Sequence, residues 1–308
     1  MTGLATSAAG VDPDAVMARV AEVPAGELWP EFDPCRVPVA LHDGAATFLY
    51  GQPVPPEEFT PRSNGHGGLV YPGRHPAVVA NSTAEIGGAW TATVDLTGIS
   101  DHPPLEVAAL VVHEAFHVFQ RERHPAWGAN EADLFLYPVE DVGGLALRLL
   151  EDGALHRALT APGDDEAARW AAAALDLRRE RFALLPDGAV TYERSAELHE
   201  GLARYIEWRV APGCLDDLLS ADGFEPDAGR LRAYATGASW ALLLDRLAPG
   251  WQQEIEGGAA QALDNLLRVR LLAWRLPAVD VSMSERGRAR TRAEADIAAL
   301  LQRRGGGG

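Results

Sequence analysis

Hydrophobic and polar positions follow two different rhythms along this chain. Over the first hundred residues the apolar positions come in short β-prone runs at 37–41, 45–50, 69–71, 77–80 and 89–96. Turn signals separate them: Asp43-Gly44, Pro55-Pro56, Asn64-Gly65 and Gly87-Gly88. The pattern predicts a small antiparallel sheet. From about residue 103 the spacing turns helical. A first helix is predicted from Pro103 or Pro104 to about Arg123, capped by Ser100 or Asp101 and stopped by His124-Pro125. Further helices are predicted over 141–160, 164–185, 190–210, 228–247, 258–275 and 284–303, with 305–308 fraying at the end. The layout is α+β: a β-rich part over 1–100 and a helical part over 101–308. No repeat and no long linker divides them, so they read as one integrated unit.

Composition narrows the chemistry. The 308 residues are 47% hydrophobic and 23% charged, enough apolar material for a sizeable core. The net charge of −17 disfavours a nucleic-acid or anionic-membrane partner. All 27 basic residues are Arg, which excludes a phosphate loop, a Schiff base or any other device built on a Lys ammonium. Cys35 and Cys214 are too far apart to suggest a disulfide framework or a metal knuckle, and they read as buried apolar thiols. The first residues lack a signal-peptide pattern and no apolar run is long enough to span a bilayer, so the expectation is a soluble, cytoplasmic protein.

Chemistry concentrates at His113-Glu114-Ala115-Phe116-His117. Residues four apart stack on one helix face, so the two imidazoles can share a metal ion. Glu114 sits at a neighbouring angle, where it can hold a metal-bound water. Zinc suits neutral imidazole nitrogens with one position left open. The flanking Val111, Val112, Ala115, Phe116, Val118 and Phe119 bury the motif. Two buried imidazoles and a carboxylate without a cation are costly. A third ligand must come from elsewhere. Glu193, Glu197, Glu200 and Glu207 recur along one stripe of the 190–210 helix, with Arg204 completing it. Such a stripe is either a solvated acidic face or a source of ligands.

His-Glu-x-x-His followed by a helix reading Glu200-Gly201-Leu202-Ala203-x-Tyr205 resembles the gluzincin metallopeptidases, the clan of thermolysin and the alanyl-aminopeptidase type. The resemblance implies a zinc ion held by His113, His117 and Glu200, with Glu114 as general base. Tyr234-Ala235-Thr236-Gly237-Ala238 is similar to the Tyr-x-x-Gly-x segment of the aminopeptidase branch, which implies an oxyanion-stabilising Tyr234. Tyr205, then His199, are the next candidates for that role. Glu131, in Asn130-Glu131-Ala132-Asp133, resembles the Asn-Glu-x-x segment of thermolysin-like enzymes and is an alternative third ligand, as is Glu197. The Gly-x-Met-Glu-Asn strand of the aminopeptidases is missing, so the resemblance implies no amino-terminal specificity. The segment 81–96 is expected to offer an edge strand to an extended peptide. The implied activity is zinc-dependent hydrolysis of a peptide or related amide. The alternative is a catalytically silent zinc-binding or protein-interaction domain. The oligomeric state is left open.

Overall fold

The computed structural model describes residues 11–62, 68–99, 101–220, 222–258 and 262–305. The chain forms two compact units: Met1–Pro125 with Ile206–Pro212, and Ala126–Tyr205 with Gly213–Gly308. The class is α+β, as the hydrophobic pattern predicts. The expected turn at Asn64-Gly65, the Ser100 cap and the last three glycines lie outside the described residues.

The first unit opens with α1 (Pro13–Val20), whose Asp12 side chain accepts the Asp14 amide N–H at 3.0 Å. The strands are β1 (Val39–His42), β2 (Ala46–Tyr50), β3 (Thr60–Pro61), β4 (Leu69–Pro72), β5 (Ser82–Ile86) and β6 (Ala89–Asp95), in the order β3-β4-β2-β1-β6-β5. Val39, Ala40 and Leu41 form an unbroken apolar run, so β1 is buried on both faces at the centre of the sheet. The other pairs are antiparallel, but β1 and β6 run parallel, Val39 opposite Ala92 and His42 opposite Asp95. The sheet is therefore mixed rather than purely antiparallel. Turn signals report hairpins, whereas a parallel neighbour is reached by a long crossover that leaves no local mark. β5 and β6 do form a tight hairpin on Gly87 and Gly88, with φ of 56° and 79°. The run at 77–80 is irregular. β5 is an edge strand, within the 81–96 segment expected to offer one, and its Ser82, Thr83 and Glu85 dilute the apolar signal.

The helix α2 (Pro104–Arg123) packs on α1, β5 and β6. Its N-cap is Pro103, which makes no side-chain cap bond, so Asp101 does not cap it. Pro104 presets the first turn, and Arg121 and Arg123 complement the dipole in the last. Phe116 meets Trp29 and Phe32 edge-on at 5.6 and 5.2 Å and stacks on Phe119 at 5.6 Å. Burying these rings fixes the rotation of α2 about its axis, and with it the direction of His113 and His117.

Helices build the second unit. α3 (Val142–Thr160) starts on Asp141, whose carboxylate accepts the Gly143 and Gly144 N–H groups at 2.9 and 3.0 Å. After α4 (Asp164–Phe182), α5 (Asp187–Ala196) passes through a π turn over Glu197–Gly201, and α6 (Leu202–Val210) continues it as one helical run. Then follow α7 (Leu215–Leu218), α8 (Gly229–Leu247), α9 (Trp251–Glu256), α10 (Leu263–Leu271) and α11 (Met283–Gly305). The helix expected over 258–275 is thus shorter. α11 lies on α3 through Ala293 and Ile297 against Leu145 and Leu149. α8 meets the π turn backbone to backbone. A Cβ on Gly201 would fall 2.5 Å from the Gly237 Cα, and one on Gly237 only 2.7 Å from the Glu197 carbonyl oxygen. Only glycine fits at either place.

Both cysteines are exposed, contrary to the reading as buried thiols. Among the described residues no helix is long and apolar enough to cross a membrane.

Candidate metal centre

One turn apart on α2, His113 and His117 point their Nε2 atoms at each other, 3.1 Å apart. Their other nitrogens are committed. His113 Nδ1 lies 2.9 Å from a Glu207 carboxylate oxygen, and His117 Nδ1 lies 2.8 Å from the Gln120 amide oxygen. Both partners are acceptors, so both Nδ1 atoms donate. Each Nε2 is then the lone-pair nitrogen. A proton or a metal cation held between the two facing nitrogens satisfies both. Two zinc–nitrogen bonds of about 2.0–2.1 Å at a tetrahedral angle hold nitrogens about 3.4 Å apart, close to the separation seen.

His113, His117 and Glu200 each offer one ligand atom, and the three atoms lie within 4.8 Å of one another. Among the described residues these three could hold a metal ion. Their exposures of 6, 9 and 8% put the donors in low dielectric. Imidazole nitrogens and a carboxylate oxygen are donor types that zinc accepts. Glu114 is also buried, at 5% exposure.

The acidic stripe does not stay together. On a regular helix Glu197 and Glu200 would be neighbours, but the wider π turn between them rotates the downstream residues to a new face. Glu193 and Glu197 enter a fully buried ion network. Arg178 grips both Glu197 oxygens at 2.9 and 2.6 Å and also reaches Glu151 at 3.0 Å and Asp264 at 3.2 Å. Arg181 grips both Glu193 oxygens at 2.6 and 2.8 Å and reaches Glu151 at 2.7 Å. Arg232 bonds Asp152 and Glu151 at 2.8 Å each, Thr236 donates to Glu197 at 2.7 Å, and Tyr137 donates to Glu193. The network anchors the helical run just before the turn that presents Glu200.

Glu200 has its own company. Tyr234 donates to it from α8, one turn before Gly237. Burial first, then the charge of Glu200, pushes the Tyr234 phenol well above the usual tyrosine range, so it stays protonated and able to donate. The Gly201–Gly237 contact brings these two residues together, since each lies within one turn of its glycine. Arg230 reaches Glu200 at 3.3 Å, and His199 Nδ1 stands 3.6 Å from the same oxygen. The alternative ligands are not part of this group: Glu197 lies in the ion network, and Glu131 is half-exposed. Tyr205, the reserve oxyanion donor, is buried and gives its hydroxyl to Asp245 at 2.8 Å.

Sequence reasoning passed over Gln120, and it counted Glu207 only as one of the stripe. Their signals were present. Gln120 follows His117 by three positions inside a buried apolar stretch, and Glu207 sits two turns beyond Glu200. A carboxylate behind a ligating imidazole fixes its tautomer and raises its basicity. Glu207→Gln is therefore expected to weaken zinc binding by about 10–100-fold, measured by competition with a chromophoric chelator. An unchanged dissociation constant would remove Glu207 from the metal centre.

Compared with protein-family models, with curated proteins and with solved structures, the chain has no match.

Proposed function

We propose that this chain is a zinc-dependent hydrolase of a peptide or related amide bond, using gluzincin-like chemistry. The convergence of the His113 and His117 Nε2 atoms with a Glu200 carboxylate oxygen supports the reading, because both Nδ1 atoms are engaged on the far side of the rings and a metal cation would satisfy both facing nitrogens. His113, His117 and Glu200 would hold the metal. Zinc there supplies a Lewis acid and a bound water whose pKa falls to about 7.

The chain's own groups do the rest. Glu114 takes a proton from the attacking water and delivers it to the leaving nitrogen. Tyr234, kept protonated, would turn its hydroxyl from Glu200 to donate to the oxygen on which charge develops. β5 is an edge strand that packs on α2, so an extended peptide can pair with it and lie along the metal helix. The net charge of −17 argues against nucleic acid or an anionic membrane as partner, and two separate exposed thiols suit a reducing cytoplasm.

The test is metal analysis joined to turnover. The purified protein is expected to hold one zinc per chain and to cleave an internally quenched peptide. A chelator should abolish that activity and added zinc restore it. Protein that takes up no zinc sinks the reading. Zinc without turnover across a broad peptide library replaces it with the silent zinc-binding domain.

A further inference from the structure

Beside Glu200 and Tyr234 stands a cation that neither metal binding nor the proposed hydrolysis requires. Arg230, in the first turn of α8, is half-exposed. One terminal nitrogen lies 3.3 Å from Glu200 and 3.4 Å from the Tyr234 hydroxyl. The other faces Glu131 at 4.0 Å, a separation beyond hydrogen-bonding reach. Glu131 is itself half-exposed, so this pair is screened and weak. The buried arginines Arg178, Arg181 and Arg232 instead bind their carboxylates at hydrogen-bond distance. Arg230 therefore has one guanidinium edge with a loosely held, displaceable partner, next to the phenol assigned to the reacting carbonyl.

We infer that Arg230 selects substrates carrying a carboxylate on a residue that flanks the scissile amide, with the substrate carboxylate displacing Glu131. The inference rests on the hydrolase reading and adds its substrate class. Distance sets the position. A carboxylate on Arg230 and a carbonyl oxygen on Tyr234, each at hydrogen-bond distance, stand roughly 6 Å apart. One residue of extended chain spans about 3.3–3.6 Å, so the charge cannot lie far along the peptide. A free C-terminal carboxylate and an Asp side chain both meet this requirement.

Three probes separate the possibilities: N-acetyl-Ala-Ala with a free carboxylate, its C-terminal amide, and N-acetyl-Ala-Asp-amide. Binding to the zinc-loaded protein is measured by calorimetry, and hydrolysis by release of the amine. At least one carboxylate probe is expected to bind about tenfold or more tightly than the neutral amide, the size of one charge-assisted contact. Which of the two wins assigns the charge to the chain terminus or to the side chain. The ratio should fall to near one in Arg230→Gln, recover in part in Arg230→Lys, and rise in Glu131→Gln as the competing carboxylate is removed. Zinc content and circular dichroism of each variant show whether it is folded. Equal or undetectable binding of all three probes, or a preference that survives Arg230→Gln, overturns the inference. Hydrolysis without preference leaves the hydrolase reading standing, whereas carboxylate-selective binding without hydrolysis does the reverse.

Discussion

Glu114→Gln is expected to keep one zinc per chain and to lower kcat by about 10²–10⁴-fold. Gln preserves the size of the side chain and its capacity to accept a hydrogen bond, but it cannot take up a proton at any ordinary pH. The donors of the metal group are His113, His117 and Glu200, so their affinity should change little. The loss should appear in kcat more than in KM, because the missing proton transfer occurs only in the transition state. The Glu residue is buried at 5% exposure within a helix whose rotation is fixed by Phe116 against Trp29 and Phe32. Misfolding is therefore not the expected cause of any loss, and thermal unfolding of the zinc-loaded variant checks this. Undiminished turnover by Glu114→Gln would remove the general base from the mechanism and leave only metal binding.

The residues differ in how far the sequence alone could place them. α2 was legible almost to the residue, because Pro104 starts it, His124-Pro125 stops it, and the apolar positions between fix its span. Its cap was misjudged, since Ser100 and Asp101 look like good caps while the chain begins the helix on Pro103. β5 lies inside the 81–96 segment expected to offer an edge strand but is absent from the short apolar runs, because an edge strand made of Ser-Thr-Ala-Glu-Ile needs no strong β-propensity once β6 pairs with it. The glutamate stripe was seen as a period but not as three separate destinations. Periodicity assumes a regular helix, and the π turn at Glu197–Gly201 breaks that assumption. Nothing local announces the turn except Gly201, whose partner Gly237 lies on another helix. Arg178 and Arg181 on α4 are fully buried, which no local pattern announces. Their partners come from α3, α5, the π turn and α10, and only tertiary structure supplies those. Arg rather than Lys suits these buried positions, because carboxylates gripped through both oxygens match the planar guanidinium fork.

The ion network yields the second large effect. Arg178→Met is expected to destabilise the protein by about 3–5 kcal/mol, read from urea unfolding, because it strands buried carboxylates without their countercharge. Arg178 binds Glu197, Glu151 and Asp264 and lies over the rings of Phe182 and Trp240 at 4.5 and 5.5 Å. Met recovers part of the packing but none of the charge. A loss of this size is a large share of the 5–15 kcal/mol typical of a folded domain. Adding Glu197→Gln to the variant should restore part of it. Burial pushes the Glu197 carboxyl above the usual range even with Arg178 present, so its ionised form is the costly one to leave alone. Acid should expose the same network. Burial pushes Glu151 up, but Arg181, Arg232 and Arg178 more than reverse this and hold it at about 2, below its ordinary 4.5, while Glu193 is lowered further by the same balance. Depressed carboxylates contribute stability that is complete above the ordinary value and is lost as pH falls through the folded one. Unfolding is therefore expected between about pH 4.5 and 2, followed by tryptophan fluorescence, and Arg178→Met should move it to higher pH. Because Glu197 opens the turn that presents Glu200, the variant should also bind zinc more weakly. A urea midpoint, acid midpoint and zinc affinity all equal to the parent's would mean that the network neither stabilises the fold nor positions the ligand.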